Sequence, residues 1–203
     1  MKQPILHSSD ILAFHGEFVG VPNWGKANPQ RHAEGIWQAV ENNHRYNCLL
    51  WDEEDLARRK NVSAAEIAAN KRAIDGYNQK RNDAIERIDE EILLAFERDG
   101  IKPGGPLNSE TAGAMIDRLS ILTLKVYHMG LQTQRADVDA EHVATCTAKL
   151  ARLTEQLADL GGCLDVLLDD FAAGRRHYKI YRQFKMYNDP KLNPCLYGAA
   201  PAK

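Results

Sequence analysis

Proline occurs at only a few places along this 203-residue chain, and its distribution leaves room for long helices. No proline lies between Pro29 and Pro103 or between Pro106 and Pro190. Within these stretches apolar residues recur at steps of three and four, which places them on one face of a helix. Four such stripes are present, and their apolar members are Ile36 and Val40; Ile67, Ile74, Ile85, Ile88, Ile92 and Phe96; Met115, Leu119, Leu122, Val126 and Met129; and Leu150, Leu153, Leu157, Leu160, Leu164 and Leu167. The sequence therefore predicts an all-α fold, a bundle of about four long helices that bury these stripes against one another.

Capping residues predict where the first two long helices begin. Asn28 followed by Pro29 combines a capping side chain with proline at the first helical position, so the first helix is expected to run from there to about Lys60. The sequence Ser-Ala-Ala-Glu at residues 63–66 is a capping box, which predicts the start of the second helix.

The third and fourth helices are predicted in the same way. Residues 99–108 contain several glycines and prolines and cannot continue a helix. Asn108 or Ser109 is expected to cap a third helix that reaches about residue 134. The fourth is expected over about 139–173, with a kink where Gly161 and Gly162 adjoin.

The helices are expected to form a single domain over residues 1–203. Residues 1–27 are predicted to be an irregular lead-in with one short helix, and residues 28–174 the core of the bundle. Residues 175–203 are predicted to be a basic and aromatic helix followed by an extended tail packed on the bundle. Basic and aromatic residues that alternate in this way can stack on single-stranded nucleic acid. The favoured interpretation is that the rings pack on the core and the cations point outward.

The charge balance limits the partners of the chain. Lys and Arg number 26 against 28 Asp and Glu, which gives a net charge of -2 and argues against binding to duplex nucleic acid. No apolar run reaches the ~20 residues of a membrane span, and the N-terminus is not typical of a signal peptide. Four cysteines without a short-spaced pair indicate free thiols rather than a zinc site. A cytoplasmic protein is expected.

Polar residues interrupt the stripes at positions that should face inward. They share helix faces with the apolar residues or adjoin them, and they are His44, Asn47, Trp51, Glu54, Asp55, Arg58, Asn78, Arg81, Asp89, Asp117, Arg118, Lys125 and His128. Burial of ionisable groups is costly unless they are paired or border a wet cavity. Two interpretations stay open: a network of ion pairs that only fixes the register of the helices, or a polar pocket that binds an anion or a metal-bound ligand.

Two metal chemistries can be compared with these residues. Glu41 and His44 form one Glu-x-x-His pair, whereas a di-iron bundle needs two such pairs and two further glutamates. The acids at 53–55, followed later by Glu86 and Asp89, resemble helical nucleoside-triphosphate pyrophosphohydrolases, in which carboxylates hold Mg²⁺ against phosphates. A further glutamate of that pattern is replaced here by Ala57 or Arg58, depending on the alignment. Mg²⁺ stays an alternative cofactor.

Several blocks of the chain resemble one bacterial family. The longest are NCLLWDEEDLAR at 47–58, IDRLSILTLKVYHM at 116–129 and FKMYNDPKLNPCLY at 184–197, with shorter blocks at 74–78, 81–83, 88–89 and 109–111. They resemble the family known as domain of unknown function 4254. Asp52 departs from the family pattern, in which His often follows the tryptophan. The resemblance implies a helical bacterial protein, in some relatives associated with genes for sugar transfer in the cell envelope, and it names no reaction.

The resulting hypothesis is a bundle whose polar pocket binds a small phosphorylated or carboxylated ligand, in sugar or nucleotide metabolism of the cell envelope. The ligand-binding candidates are Trp51, Arg58, Asn78, Arg81, Asp117 and Arg118, with the three arginines holding the anion. The acid, base or Mg²⁺-binding candidates are Glu54, Asp55, Asp89 and His128. Two alternatives remain: a non-catalytic assembly or adaptor protein with a structural seam, and an Mg²⁺-dependent enzyme similar to the pyrophosphohydrolases. The sequence leaves two further questions open: whether the protein is an enzyme, and whether it forms a homodimer.

Overall fold

Four long helices dominate the computed structural model of this protein, which describes residues 6–27, 29–184 and 190–194. The helices in these ranges are α1 Ser8–Phe18, α2 Trp24–Ala27, α3 Gly35–Ala57, α4 Ala64–Arg98, α5 Ala112–Thr133 and α6 Ala140–Ala172. Strands are absent from the described part of the chain, where one isolated bridge joins Leu107 and His177. The predicted all-α bundle is therefore confirmed. None of the helices within the described ranges has the length and apolar character needed to span a membrane.

The long helices pack as two hairpins. α3 and α4 form one, in which Glu53 near the end of α3 meets Asn70 near the start of α4. α5 and α6 form the other, and α5 contacts both α3 and α4. Fully buried Ile88, Ile116 and Leu164, from α4, α5 and α6, belong to one hydrophobic core.

Two of the predicted helix starts are confirmed. Ser63 accepts a hydrogen bond from the backbone N–H of Glu66, whose side chain accepts in return from Ser63, so the capping box at the start of α4 is complete. Asp139 caps α6, which continues as a helix through Gly161 and Gly162.

The start predicted for the first long helix is wrong. α3 begins at Gly35 rather than Pro29, and Asn28 lies outside the described residues. Residues 29–34 are held away from helical geometry because buried Glu41 accepts hydrogen bonds from the backbone N–H groups of Arg31 and His32, both at 2.9 Å. A contact across the fold therefore overrides the local capping signal.

The cap predicted for α5 is also displaced. Thr111 rather than Asn108 or Ser109 is the N-cap, and its side chain accepts from the N–H of Ala114. Asn108 instead donates its backbone N–H to the carbonyl of His177 at 2.7 Å, and this contact ties it to the C-terminal segment.

The lead-in contains two helices, α1 and α2, where one short helix was expected. α1 buries Ile11 and Phe14, and α2 buries Trp24. The ring of Phe14 lies 6.5 Å from that of Trp24 and 5.8 Å from that of Trp37 on α3. These aromatic contacts pack the lead-in against the bundle.

The C-terminal segment is extended where a helix was expected. Residues 175–184 contain no helical turn, and residues 185–189 and 195–203 lie outside the described part. A Cβ on Gly105 would lie 1.9 Å from the carbonyl oxygen of Arg175, so only glycine allows this segment to approach the loop before α5. Tyr178 packs on Phe171 and is buried, as expected for a ring on the core, whereas Tyr181 is 73% exposed.

The described cysteines Cys48, Cys146 and Cys163 are free thiols, as predicted, and Cys195 lies outside the described residues.

Candidate functional site

Many of the polar residues singled out from the sequence meet beside α5. Trp51 and Asp55 of α3 and His128 of α5 line a cavity of about 610 Å³, hereafter the large cleft, to distinguish it from the cavity of about 370 Å³ that adjoins it. Its other walls come from the second half of α5 and the first half of α6. The residues that complete the lining are Lys125, Met129, Gln132, Lys149, Arg152, Leu153 and Gln156. The volume is in the range of sites that bind small molecules.

The aromatic centre of the large cleft is a stacked pair. The rings of Trp51 and His128 lie 4.4 Å apart between centroids with an interplanar angle of 8°. Trp51 projects from α3 and His128 from α5, so the packing of these two helices fixes the pair. Tyr127 contacts His128 edge-on at 5.2 Å.

The environment of His128 favours the neutral form of its imidazole. Partial burial lowers the pKa of its imidazole, while the nearby carboxylates of Asp55 and Asp52 oppose that shift. A neutral imidazole can accept a proton, so His128 has the chemistry of a general base next to a carboxylate.

A second cavity of about 370 Å³ adjoins the large cleft, with Trp51 and Asp55 lining both. Here Arg58 forms an ion pair with Glu54 at 3.0 Å and also donates to the carbonyl of Glu54. Arg81 of α4 completes the polar rim. Two of the three arginines expected to hold an anion, Arg58 and Arg81, thus border this smaller cavity, and Arg58 already has a carboxylate partner.

Beneath this cavity, Asp117 holds a buried network. Its Oδ1 accepts hydrogen bonds from Asn43 at 2.8 Å and from Asn47 at 2.9 Å. The Nε of Arg81 lies 3.9 Å from the same oxygen and makes no hydrogen bond within the described residues. These contacts tie α3, α4 and α5 together, which is the structural role that the register interpretation requires.

The cations of the large cleft are mostly residues that the sequence did not single out. Lys149 and Arg152 project from α6, and only Lys125 on α5 was identified beforehand. Arg152 pairs with Glu155 at 2.6 Å. Among the residues that the structure describes, neither Lys125 nor Lys149 forms an ion pair, so both are available to an anion. In the sequence, Lys149 and Arg152 could have been noticed only because they flank the leucine stripe of α6.

Two further predicted site residues, Arg118 and Asn78, lie outside the large cleft and the cavity that adjoins it. Arg118 pairs with Glu110 at 2.8 Å in a further cavity of about 660 Å³, which shares Lys125 and Gln156 with the large cleft. Asn78 on α4 is half-buried and lines none of the four cavities described here.

Asp89 of α4 lies against the first turn of α5. Its Oδ1 accepts the backbone N–H of Gly113 at 2.7 Å. Burial raises the pKa of this carboxyl to about 6, against the hydrogen bonds from Thr111 and Gly113 that favour the charged form. This geometry assigns Asp89 to the contact between α4 and α5 rather than to a cleft.

The carboxylates of the Mg²⁺ alternative are not brought together. Because α3 and α4 are antiparallel, Glu53 faces Asn70, and Glu86 lies about 24 Å further along α4 at 1.5 Å per residue. Glu86 forms an ion pair with Arg182 at 2.5 Å. No group of three or more His, Cys, Asp or Glu side chains suited to a metal ion occurs in the described ranges. The residues present therefore do not fit that Mg²⁺ site.

Glu41 and His44, the Glu-x-x-His pair on α3, have separate roles. Glu41 holds the backbone of Arg31 and His32, whereas the Nδ1 of His44 lies 2.8 Å from Ser120 on α5. The two side chains therefore do not share a partner.

A buried histidine pair escaped sequence analysis. His15 of α1 stacks on His44 of α3 with centroids 4.4 Å apart, and both side chains are fully buried. Neither ring nitrogen of His15 has a hydrogen-bond partner in the described part of the chain. Burial lowers the pKa of both histidines, so both are neutral. His15 lies in the lead-in, where no helical stripe had been identified.

These observations define an all-α protein built on two helical hairpins, with a polar cleft beside its third long helix. A family model described as "Protein of unknown function (DUF4254)" matches residues 37–180, and the chain belongs to that family, as the resemblance of its sequence blocks predicted. The matched region includes every side chain that lines the large cleft. No curated protein and no solved structure matches the chain.

Proposed function

We propose that this protein binds a small anionic ligand, phosphorylated or carboxylated, in the large cleft between α3, α5 and α6. The observation that carries the proposal is the cationic wall of that cleft. Lys125, Lys149 and Arg152 line the same cavity as the Trp51–His128 pair, and the described part of the chain offers no carboxylate partner to either lysine.

The charges of the cleft favour an anion over a cation. Asp55 is the only carboxylate among the side chains that line it in the described structure, against three cations. Two lysines and an arginine on adjacent helices can donate charge-assisted hydrogen bonds to one phosphate or carboxylate. Arg58 and Arg81 border the adjoining cavity and could contact a ligand that extends past Trp51.

The proposal extends to proton transfer. A neutral His128 beside Asp55 is suited to accept a proton from a bound ligand. Phosphate-ester or nucleotide-sugar chemistry in the bacterial cytoplasm is the reaction class that we propose if the protein is an enzyme, and the link to the cell envelope rests on the family resemblance alone.

A thermal-shift screen tests the binding proposal. Inorganic phosphate, sugar phosphates, nucleotides and small carboxylates are added to the protein with and without Mg²⁺, and the melting temperature is recorded. We expect at least one anion to raise the melting temperature in proportion to the logarithm of its concentration above its Kd. The Lys125→Ala, Lys149→Ala double variant should lose that shift.

The matched control is Arg72→Ala, which removes an exposed cation of α4 that lines none of the four cavities. It should keep the full shift. A loss of half the shift or more in Arg72→Ala, which removes one charge rather than two, would show that the anion acts through net charge alone, which contradicts a specific site.

The assembly or adaptor function is the second candidate, and one observation favours it. The Asp117 network is internal and joins three helices, as expected for a structural seam. On this account no anion raises the melting temperature, and the protein elutes from a sizing column as a stable homodimer or with a partner. The Mg²⁺-dependent pyrophosphohydrolase is not proposed, since its carboxylates lie apart.

A further inference from the structure

We propose that the ligand of the large cleft carries a planar ring beside its anionic group, as a nucleoside phosphate or an aromatic acid does. This inference rests on the proposed function and names the chemical class of ligand that the same site takes. The aromatic pair, the apolar lining and the position of the cations support it.

The first support is the aromatic pair itself. Trp51 is only half-buried although it stacks on His128, and its side chain borders three cavities, of about 610, 370 and 270 Å³. The protein therefore leaves part of the indole uncovered on several sides. An exposed aromatic surface held rigidly by two helices is suited to stacking with a planar ring, since the entropy of ordering is already lost.

The second support is the apolar lining. Met129 on α5 and Leu153 on α6 line the large cleft together with the indole of Trp51. A bare phosphate or acetate occupies a small part of 610 Å³ and would leave these side chains in contact with water. A ligand with a ring removes that apolar surface from water and so gains binding free energy that a simple anion cannot.

The third support is the arrangement of the two kinds of group. Trp51 lies on the α3 side of the cleft, whereas Lys149 and Arg152 lie on the α6 side, with α5 between them. A ligand that reaches both walls must have its ring and its anion at different ends. Nucleoside monophosphates and aromatic carboxylates share this design.

Calorimetric titration with matched probe pairs tests the inference. Each pair has the same anionic group with and without a ring: phenyl phosphate and ethyl phosphate, adenosine 5′-monophosphate and ribose 5-phosphate, indole-3-acetate and acetate. We expect the ring-bearing member of at least one pair to bind at least about tenfold more tightly, because stacking of a base on an aromatic side chain contributes about that much. The pair with the largest ratio distinguishes a nucleotide from an aromatic acid.

Variants of Trp51 locate the effect. Trp51→Leu should reduce the ratio to below about threefold, whereas Trp51→Phe retains a ring and should retain most of the ratio. Tyr181→Leu is the control, because this exposed aromatic residue on the C-terminal segment lines none of the four cavities. It should change nothing.

The outcomes are distinguishable in the wild-type protein alone, even if Trp51→Leu does not fold. Equal affinities within all three pairs would overturn the inference that the ligand carries a ring, while leaving an anion site in place. If none of the six probes binds, the inference and the proposed function both fail.

Discussion

The imidazole of His15 stacks on that of His44 with an interplanar angle of 22°, and both rings are fully excluded from solvent. One histidine comes from the lead-in helix and the other from the middle of α3. Burial lowers the pKa of both, that of His44 to about 3, so the folded protein holds the pair uncharged. Protonation of either ring in place would put an unsolvated charge in the core.

The pair predicts that acid destabilises the protein. The unfolded chain protonates both histidines below a pKa of about 6.5 and the folded chain does not, so stability is complete above that value and is lost as the pH falls. Between pH 7 and pH 5 the two residues should lower the free energy of unfolding by about 4 kcal/mol. His15→Phe keeps a stacked ring and should remove about half of that loss. Urea denaturation at both pH values measures the free energy of unfolding of the wild type and the variant. If His15→Phe loses as much of it between pH 7 and pH 5 as the wild type does, His15 is not the buried base described.

Asp89 predicts the opposite pH dependence. Because its folded pKa is raised to about 6, its ionisation disfavours folding, and the stability present at low pH is lost as the pH rises through 6. Between pH 5 and pH 7.5, the free energy of unfolding of Asp89→Asn should rise by about 1 kcal/mol relative to that of the wild type. Asp83→Asn, an exposed residue of the same helix, should show no such gain. A constant difference between Asp89→Asn and the wild type at both pH values would contradict the assignment.

The close contact of α4 and α5 makes Gly113 sensitive to substitution. A Cβ there would lie 2.5 Å from the carbonyl oxygen of Ile85 and 2.9 Å from Cγ of Asp89, so Gly113→Ala should destabilise the protein by about 1–3 kcal/mol. Gly130→Ala in the same helix meets no atom within 4 Å and should stabilise it by up to about 1 kcal/mol. Thermal unfolding of both variants measures the contrast, and similar melting temperatures would show that the helices do not pack this closely.

Asp117 and Asp55 separate the two interpretations of the polar seam. Asp117→Ala leaves the amide donors of Asn43 and Asn47 without their shared acceptor, which should cost about 2–4 kcal/mol of stability. Asp55 is exposed at the cleft, and Asp55→Ala should change stability by less than about 0.5 kcal/mol. Chemical denaturation compares the two. A small loss for Asp117→Ala would mean that the network does not stabilise the bundle.

Local signals identified the framework well. The capping box at Ser63 satisfies the first turn of its own helix, so a few consecutive residues suffice to predict it. The prediction of where α3 starts failed because Glu41 accepts a hydrogen bond from the backbone of Arg31, ten residues earlier, and this contact exists only after folding. The extended C-terminal segment has the same cause, since its partners lie in the loop before α5.

The site was predictable only where its residues break a local pattern. Trp51, Asp55 and His128 interrupt apolar stripes, which marks them in the sequence. Lys149 and Arg152 lie on the exposed side of a regular leucine stripe, where a cation is ordinary. Only the packing of α6 beside α5 and α3 makes them part of a cleft.

Nuclear magnetic resonance of isotope-labelled protein, titrated with phenyl phosphate, shows whether an anion binds in the large cleft. We expect the perturbed backbone and histidine side-chain signals to concentrate at the large cleft, on Trp51, Lys125, His128, Lys149 and Arg152. The Lys125→Ala, Lys149→Ala double variant should fold and lose these changes. Perturbations that are absent at saturating probe, or that map to another surface and persist in the double variant, would contradict an anion site in the cleft.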